Sequence, residues 1–150
     1  MYKIPNDIVL SHNFRLSEFV CHDDSKEVLF NMFLINKLQS MRIMTGLPIT
    51  ILSGYRTRSY NAAIKGSPKS QHLYGLAADI NIVNLSPASI ASYAYRVGFN
   101  GIGIYTHNRN SFVHCDIRPK PIFWVDAENA DCKSITGQQL MTIINAPPKK

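Results

Sequence analysis

Apolar and polar positions change period several times along the chain, and each change marks an element. Over residues 25–46, SKEVLFNMFLINKLQSMRIMTG, the apolar residues Val28, Leu29, Phe33, Ile35, Leu38 and Met41 recur at roughly helical spacing. Ser25 and Glu27 suit a first turn and Gly46 suits an end, so the pattern predicts one helix over the whole stretch. After Pro48 the run ITILSGYR is short and β-branched, which predicts a strand. Residues 57–71 read as a short helix and a loop punctuated by Gly66 and Pro68. LAADINIV predicts a second strand, with Asp79, Asn81 and Val83 on one face and Ile80 and Ile82 on the other. SPASIASYAYRVGF predicts a second helix, with Ser86 as N-cap, Pro87 at its first position and Gly98 near its end. GIGIYT and SFVHCDIR follow as two strands joined by the turn-like HNRN, then SITGQQLMTIINA as a last helix and PPKK as a frayed tail. The order helix, strand, loop, strand, helix, strand, strand implies an α+β fold. One domain over residues 1–150 is expected, with a small, mainly antiparallel sheet flanked by helices.

Composition narrows the classes. With 45% hydrophobic and 17% charged residues the chain is able to build a core and is not a disordered polymer. Its net charge of +6 favours an anionic partner (nucleic acid, an anionic membrane surface or a cell-wall polymer) or simply solubility. No arginine-rich run or nucleic-acid motif accompanies the charge, so nucleic-acid binding is not expected. No window reaches the roughly 18 apolar residues of a membrane span, so membrane insertion is not expected. The opening MYKIPNDIVLSHNF lacks the basic segment and long apolar core of a signal peptide, which predicts synthesis in the cytoplasm and delivery by other means. Cys21, Cys115 and Cys132 form no CxxC pair and read as free thiols, Cys115 as a small hydrophobe.

One polar position breaks the apolar pattern. Asp79 sits in Leu76-Ala77-Ala78-Asp79-Ile80, where an ionised group needs a partner. In SFVHCDIR, His114, Asp116 and Arg118 alternate with Val113, Cys115 and Ile117, so one strand face carries His, Asp and Arg. Asp79 is expected to look across at that face, and His72 to fold in from the preceding loop. Two imidazoles and a carboxylate suit a three-ligand zinc site that keeps a fourth position for water. Spacing alone is also met by a surface-loop His72, a capping Asp79 and a core His114.

SQHLYGLAAD, Ser70 to Asp79, matches the SxHxxGxAxD motif of peptidase family M15, the zinc D-Ala-D-Ala carboxypeptidase and phage endolysin family. SGYRT (Ser53 to Thr57) resembles the family's SGYRS segment, FVHCD (Phe112 to Asp116) its late HxD strand, and NFRLSEFVC the N-terminal segment of one branch. The resemblance covers roughly residues 13–118. It implies a zinc D-Ala-D-Ala carboxypeptidase-like fold and Zn²⁺ held by His72, Asp79 and His114. It further implies that Arg56 binds a substrate carboxylate or steadies developing negative charge, and that Ser70 lies near the substrate. Arg56 and Ser70 also fit a surface salt bridge and a turn serine. Gly75 is expected to let backbone pass close to the site, and Tyr74 to be core or wall.

The pattern departs from the family at the base. Many members carry Glu or Asp three residues before the last histidine, where this chain has Ser111. Asp116 is the substitute, as general base or as a carboxylate that orients a ligand histidine. His107 is a candidate acid or oxyanion partner, or a plain surface histidine. The implied activity is zinc-dependent hydrolysis of amide bonds in the peptidoglycan stem peptide, as a D-Ala-D-Ala carboxypeptidase or an endolysin-type endopeptidase. The implied protein is a monomer that acts on the cell wall, with phage-type release. The alternative is a non-catalytic zinc- and wall-binding or structural phage protein of the same fold.

Overall fold

The computed structural model describes residues 7–106, 111–126 and 132–147. In chain order the elements are α1 (Met32–Thr45), β1 (Thr50–Ser53), α2 (Arg58–Ala63), β2 (Ala77–Asn81), α3 (Pro87–Arg96), β3 (Gly101–Tyr105), β4 (Phe112–Asp116), β5 (Ile122–Asp126), β6 (Cys132–Ile135) and α4 (Gly137–Ile144). Short 3₁₀ turns lie at Leu16–Phe19 and Gln71–Tyr74. The strands form one sheet in the order β1-β2-β4-β3-β5-β6, antiparallel except where β3 and β5 run parallel. The fold is α+β, with a sheet that is mixed though mostly antiparallel.

Alternation along the strands divides the sheet. Ala78, Ile80, Ile102, Ile104, Val113 and Cys115 are buried with Leu34, Ile35, Leu38 and Met41 of α1, Ile90, Ala91 and Ala94 of α3, and Leu140 of α4. Helix α3 packs on β3 and β4 and against α1 and α4. Ser86 caps α3 by accepting from Ser89 N–H, with Pro87 at the first position, as the sequence predicts. Thr136 and Gln139 form a reciprocal capping box at α4. No helix among the described residues is long and apolar enough to cross a membrane.

Three expectations need correction. The first helix starts at Met32, not near Ser25. Asn31 takes the cap by accepting from Phe33 N–H, Lys26 is left-handed at φ 55, and Cys21 N–H bonds to Glu27 C=O. These bonds hold residues 25–30 out of helical geometry, and Leu29 and Phe33 are exposed. The sheet also gains β5 and β6. The aromatic and β-branched run Ile122-Phe123-Trp124-Val125 carries a strand signal for β5, whereas the short edge strand β6 carries little. Ser134 and Ile135, predicted as helix, belong to β6. The predicted turn HNRN and the tail beyond Pro147 lie outside the described residues.

Candidate metal centre

The face away from the helices is organised by register. Ser53 pairs with Asp79, Asp79 with His114, His114 with Gly103, Gly103 with Trp124, and Trp124 with Ser134. One row of side chains thus crosses all six strands. A bulge between Ile51 and Ser53 in β1 brings Ser53, rather than Leu52, opposite Asp79. The carbonyl of the next residue, Gly54, then meets the His72 ring.

His72, Asp79 and His114 converge, all buried. His72 Nε2 lies 3.2 Å from Asp79 Oδ1 and 3.2 Å from His114 Nδ1, and His114 Nδ1 lies 3.0 Å from Asp79 Oδ1. The outer nitrogens fix the proton positions. His72 Nδ1–H donates to the Gly54 carbonyl at 2.6 Å, and His114 Nε2–H donates to Asp116 Oδ2 at 2.8 Å. Each neutral ring therefore turns a lone pair inwards, towards a carboxylate oxygen that is itself an acceptor. Three acceptors face one another with no donor between them, so the centre calls for a cation. Donor edges around a tetrahedral zinc are roughly 3.3 Å for bonds near 2.0–2.1 Å, only slightly longer than those seen. The donor set fits zinc in both chemistry and spacing.

The electrostatics agree. Burial lowers the His72 pKa and keeps that ring neutral. Burial also opposes protonation of His114, but hydrogen bonds and charges from Asp116 and Asp79 outweigh it and raise the pKa. Asp79 stays ionised, its pKa held well below the usual carboxylate range in spite of burial. Its second oxygen receives Arg56 Nη2 at 2.5 Å.

The neighbouring residues have definite places. Arg56 is held by Asp79 and donates from Nε to Ser53 Oγ at 3.0 Å. It lines the cleft beside the triad, as does Ser70. Ser70 caps the 3₁₀ turn that carries His72, accepting from the His72 N–H. Asp116 is fully buried behind the His114 ring, not in the cleft, and is gripped by the Arg118 guanidinium. Burial would raise its pKa, but Arg118 and then His114 hold it well below the usual carboxylate range. Gly75 is left-handed at φ 67, and a Cβ there would lie 2.5 Å from the Leu29 backbone. Its close approach is therefore to residue 29 and not to the triad. Tyr74 is exposed, neither core nor cleft wall. Ser111 lies on a second cavity that shares Asp79 and Phe112 with the first. His107 lies outside the described residues.

Sequence reasoning missed Trp124, whose ring centre lies 5.0 Å from that of His114 and 5.2 Å from the Arg118 guanidinium carbon. It also missed why GIGIY needs its glycines. A Cβ on Gly103 would stand 2.4 Å from the Trp124 indole, and one on Gly101 would stand 2.1 Å from the Asp116 carboxylate. Alternate glycines on β3 clear the space in which these two side chains back His114. A Gly-x-Gly within a strand is a readable signal of close approach.

Fold and site together define an α+β protein whose open sheet face carries a three-donor site able to hold one metal ion. The chain belongs to the peptidase M15 family, whose profile matches residues 12–116. It is similar to the zinc D-Ala-D-Ala carboxypeptidase of Streptomyces albus G, with 36% identity over 81 residues, 51% of this chain and 32% of that protein. It is also similar to the peptidoglycan L,D-endopeptidase MepK of Escherichia coli K12, with 31% identity over 80 residues, 50% of this chain and 43% of that protein. The matches thus span less than half the length of either relative.

Proposed function

We propose that the chain is a zinc-dependent peptidase that hydrolyses amide bonds in the peptidoglycan stem peptide. The observation that carries the reading is the convergence of His72 Nε2, Asp79 Oδ1 and His114 Nδ1 with their protons turned outwards. These three residues would hold Zn²⁺. When bound, zinc supplies Lewis acidity and a water of lowered pKa. The rest belongs to the chain. Gly54 C=O and Asp116 orient the two imidazoles, and Arg56 orients Asp79. A cleft of about 620 Å³, carrying Arg56, Lys65, Lys69 and Arg118, faces the triad. Its positive lining suits a peptide rich in carboxylates, and the names of the two relatives support a peptidoglycan substrate.

Of the two roles open to Asp116, the reading adopts orientation of His114. A carboxylate with no exposed surface and bound to Arg118 has no path to a water in the cleft. Arg56 contributes first by neutralising Asp79. Its Nη1, which makes no hydrogen bond among the described residues, is left for substrate. Ser70 acts through the turn that carries His72. The protein would work as a monomer on the cell wall, released in the manner of a phage lysin or acting in bacterial wall remodelling.

A non-catalytic zinc- and wall-binding or structural phage role is the second reading. Ser111 in place of an acid, with Asp79 the one carboxylate lining either described cavity, favours it. Mass spectrometry of peptidoglycan incubated with the zinc-loaded protein separates the two. New fragments ending at one stem-peptide bond are expected, and none with His114→Ala. Intact stem peptides after exhaustive incubation would leave the binding role.

A further inference from the structure

We propose that Tyr105 is a further catalytic residue, whose phenol O–H donates a hydrogen bond to the carbonyl oxygen of the scissile amide as negative charge develops there. The inference rests on the peptidase reading above and adds to it a donor that no relative's name or sequence motif assigns.

Tyr105 lines the same cleft as His72, Asp79 and His114. It stands two residues beyond Gly103, the β3 residue paired with His114, and so on the same sheet face. Its ring stacks on Phe112 with centroids 4.3 Å apart and planes 9° from parallel, which fixes its direction across the sheet. The Trp124 indole, beside the His114 ring, donates from Nε1 to the Tyr105 hydroxyl at 2.9 Å. Cys132 Sγ–H donates weakly to the same oxygen at 3.6 Å. Both bonds point into the oxygen. Among the described residues the hydroxyl accepts twice and donates to nothing, so its own proton is uncommitted. Burial raises the phenol's pKa and outweighs the Trp124 hydrogen bond, which lowers it, so that proton stays in place at neutral pH.

The other polar side chains leave this task open. Arg56 has its Nε and Nη2 engaged by Ser53 and Asp79 and keeps only Nη1 for a substrate group, Arg118 is drawn to Asp116, and Ser70 caps the turn of His72. A half-buried donor in the same cleft as a centre that would polarise carbonyls with its metal bound is the arrangement that stabilises an oxyanion. No proton is transferred. The phenol keeps its hydrogen while the carbonyl oxygen gains and then loses charge.

The test compares Tyr105→Phe with Trp124→Phe, both zinc-loaded, against the wild type. The readouts are kcat and KM on a synthetic stem peptide, affinity for a phosphinic analogue of that peptide by calorimetry, and zinc content. Tyr105→Phe should lower kcat about 100-fold, within the usual 10²–10³ for one lost donor. KM should change little and zinc content should stay at one per chain. Phosphinate affinity should fall in parallel with kcat, because its oxygen mimics the oxyanion. Trp124→Phe keeps the hydroxyl and should lose far less. Equal losses in both variants would mean that the hydroxyl only anchors Trp124, and would overturn the proposal. Unchanged kcat and phosphinate affinity in Tyr105→Phe would overturn it while leaving the peptidase reading intact. A wild type inert on stem peptides would overturn the peptidase reading, and this inference with it. If Tyr105→Phe fails to fold, Trp124→Phe decides. A modest kcat loss with normal zinc content supports the donor, and wild-type kcat contradicts an aimed hydroxyl.

Discussion

The two faces of the sheet are made by the same strands, one residue out of phase, and they obey different physics. On the helix side, Ala78, Ile80, Ile102, Ile104, Val113 and Cys115 are at most 3% exposed and belong to one apolar cluster. Each contributes by excluding water and filling volume. On the other side the row Ser53, Asp79, His114, Gly103, Trp124 and Ser134 sets Asp79 beside His114, and with His72 their inward acceptors repel one another unless a cation joins them. Period-two alternation thus separates stability from chemistry at a distance of one residue.

The largest expected effect tests that separation from both sides. Ile80→Ala removes a fully buried side chain and should cost about 2–5 kcal/mol in urea unfolding. The fraction that stays folded should still bind zinc as the wild type does. His114→Ala should do the reverse, losing zinc binding with a much smaller loss of apo stability. Similar effects of the two substitutions on zinc binding by folded protein would dissolve the distinction.

Next comes a substitution on the shared strand. Gly103→Ala places a Cβ 2.4 Å from the Trp124 indole, so that ring must move. A cost of about 1–3 kcal/mol is expected from overpacking. Trp124 is the sole tryptophan in the chain, so a shift in its emission maximum reports the displacement directly. Unaltered emission and stability would contradict the close contact.

The smallest effect lies outside the cleft, beside Thr57 at the start of α2. Asp23 is held down to about 2 by hydrogen bonds from Ser25 and Thr57. Its folded pKa lies below the ordinary value of 3.8, so its contribution is present above that pH and is lost as pH falls through about 2. Asp23→Asn should therefore lower the melting midpoint at neutral pH and flatten its decline between these limits. The wild-type slope in the variant would place the acid response elsewhere.

The triad was legible because its signal is local. SQHLYGLAAD fixes the His72–Asp79 separation, and VHCD sets His114 and Asp116 on one strand face. The alternation of Asp79 with Ile80, and the caps at Ser86 and Pro87, depend on neighbours in sequence and are found in the fold. What was missed depends on partners far away. Arg56 is turned to Asp79 by a contact 23 residues distant, and residues 25–30 leave helical geometry because Cys21 and Asn31 compete for the backbone. Asp116 offered two roles on paper, and its burial behind His114 favours the orienting one. Strand β6 has no core-facing pattern of its own and gains its place by pairing with β5.

The central claim is that the inward-facing acceptors of His72, Asp79 and His114 require a metal ion. Calorimetric titration of Zn²⁺ into chelator-stripped protein tests it most directly, with His114→Ala as the comparison. The account predicts saturation at one ion per chain for the wild type and no comparable binding by the variant. A wild type that takes up no zinc, or a variant that binds it equally well, would contradict the account.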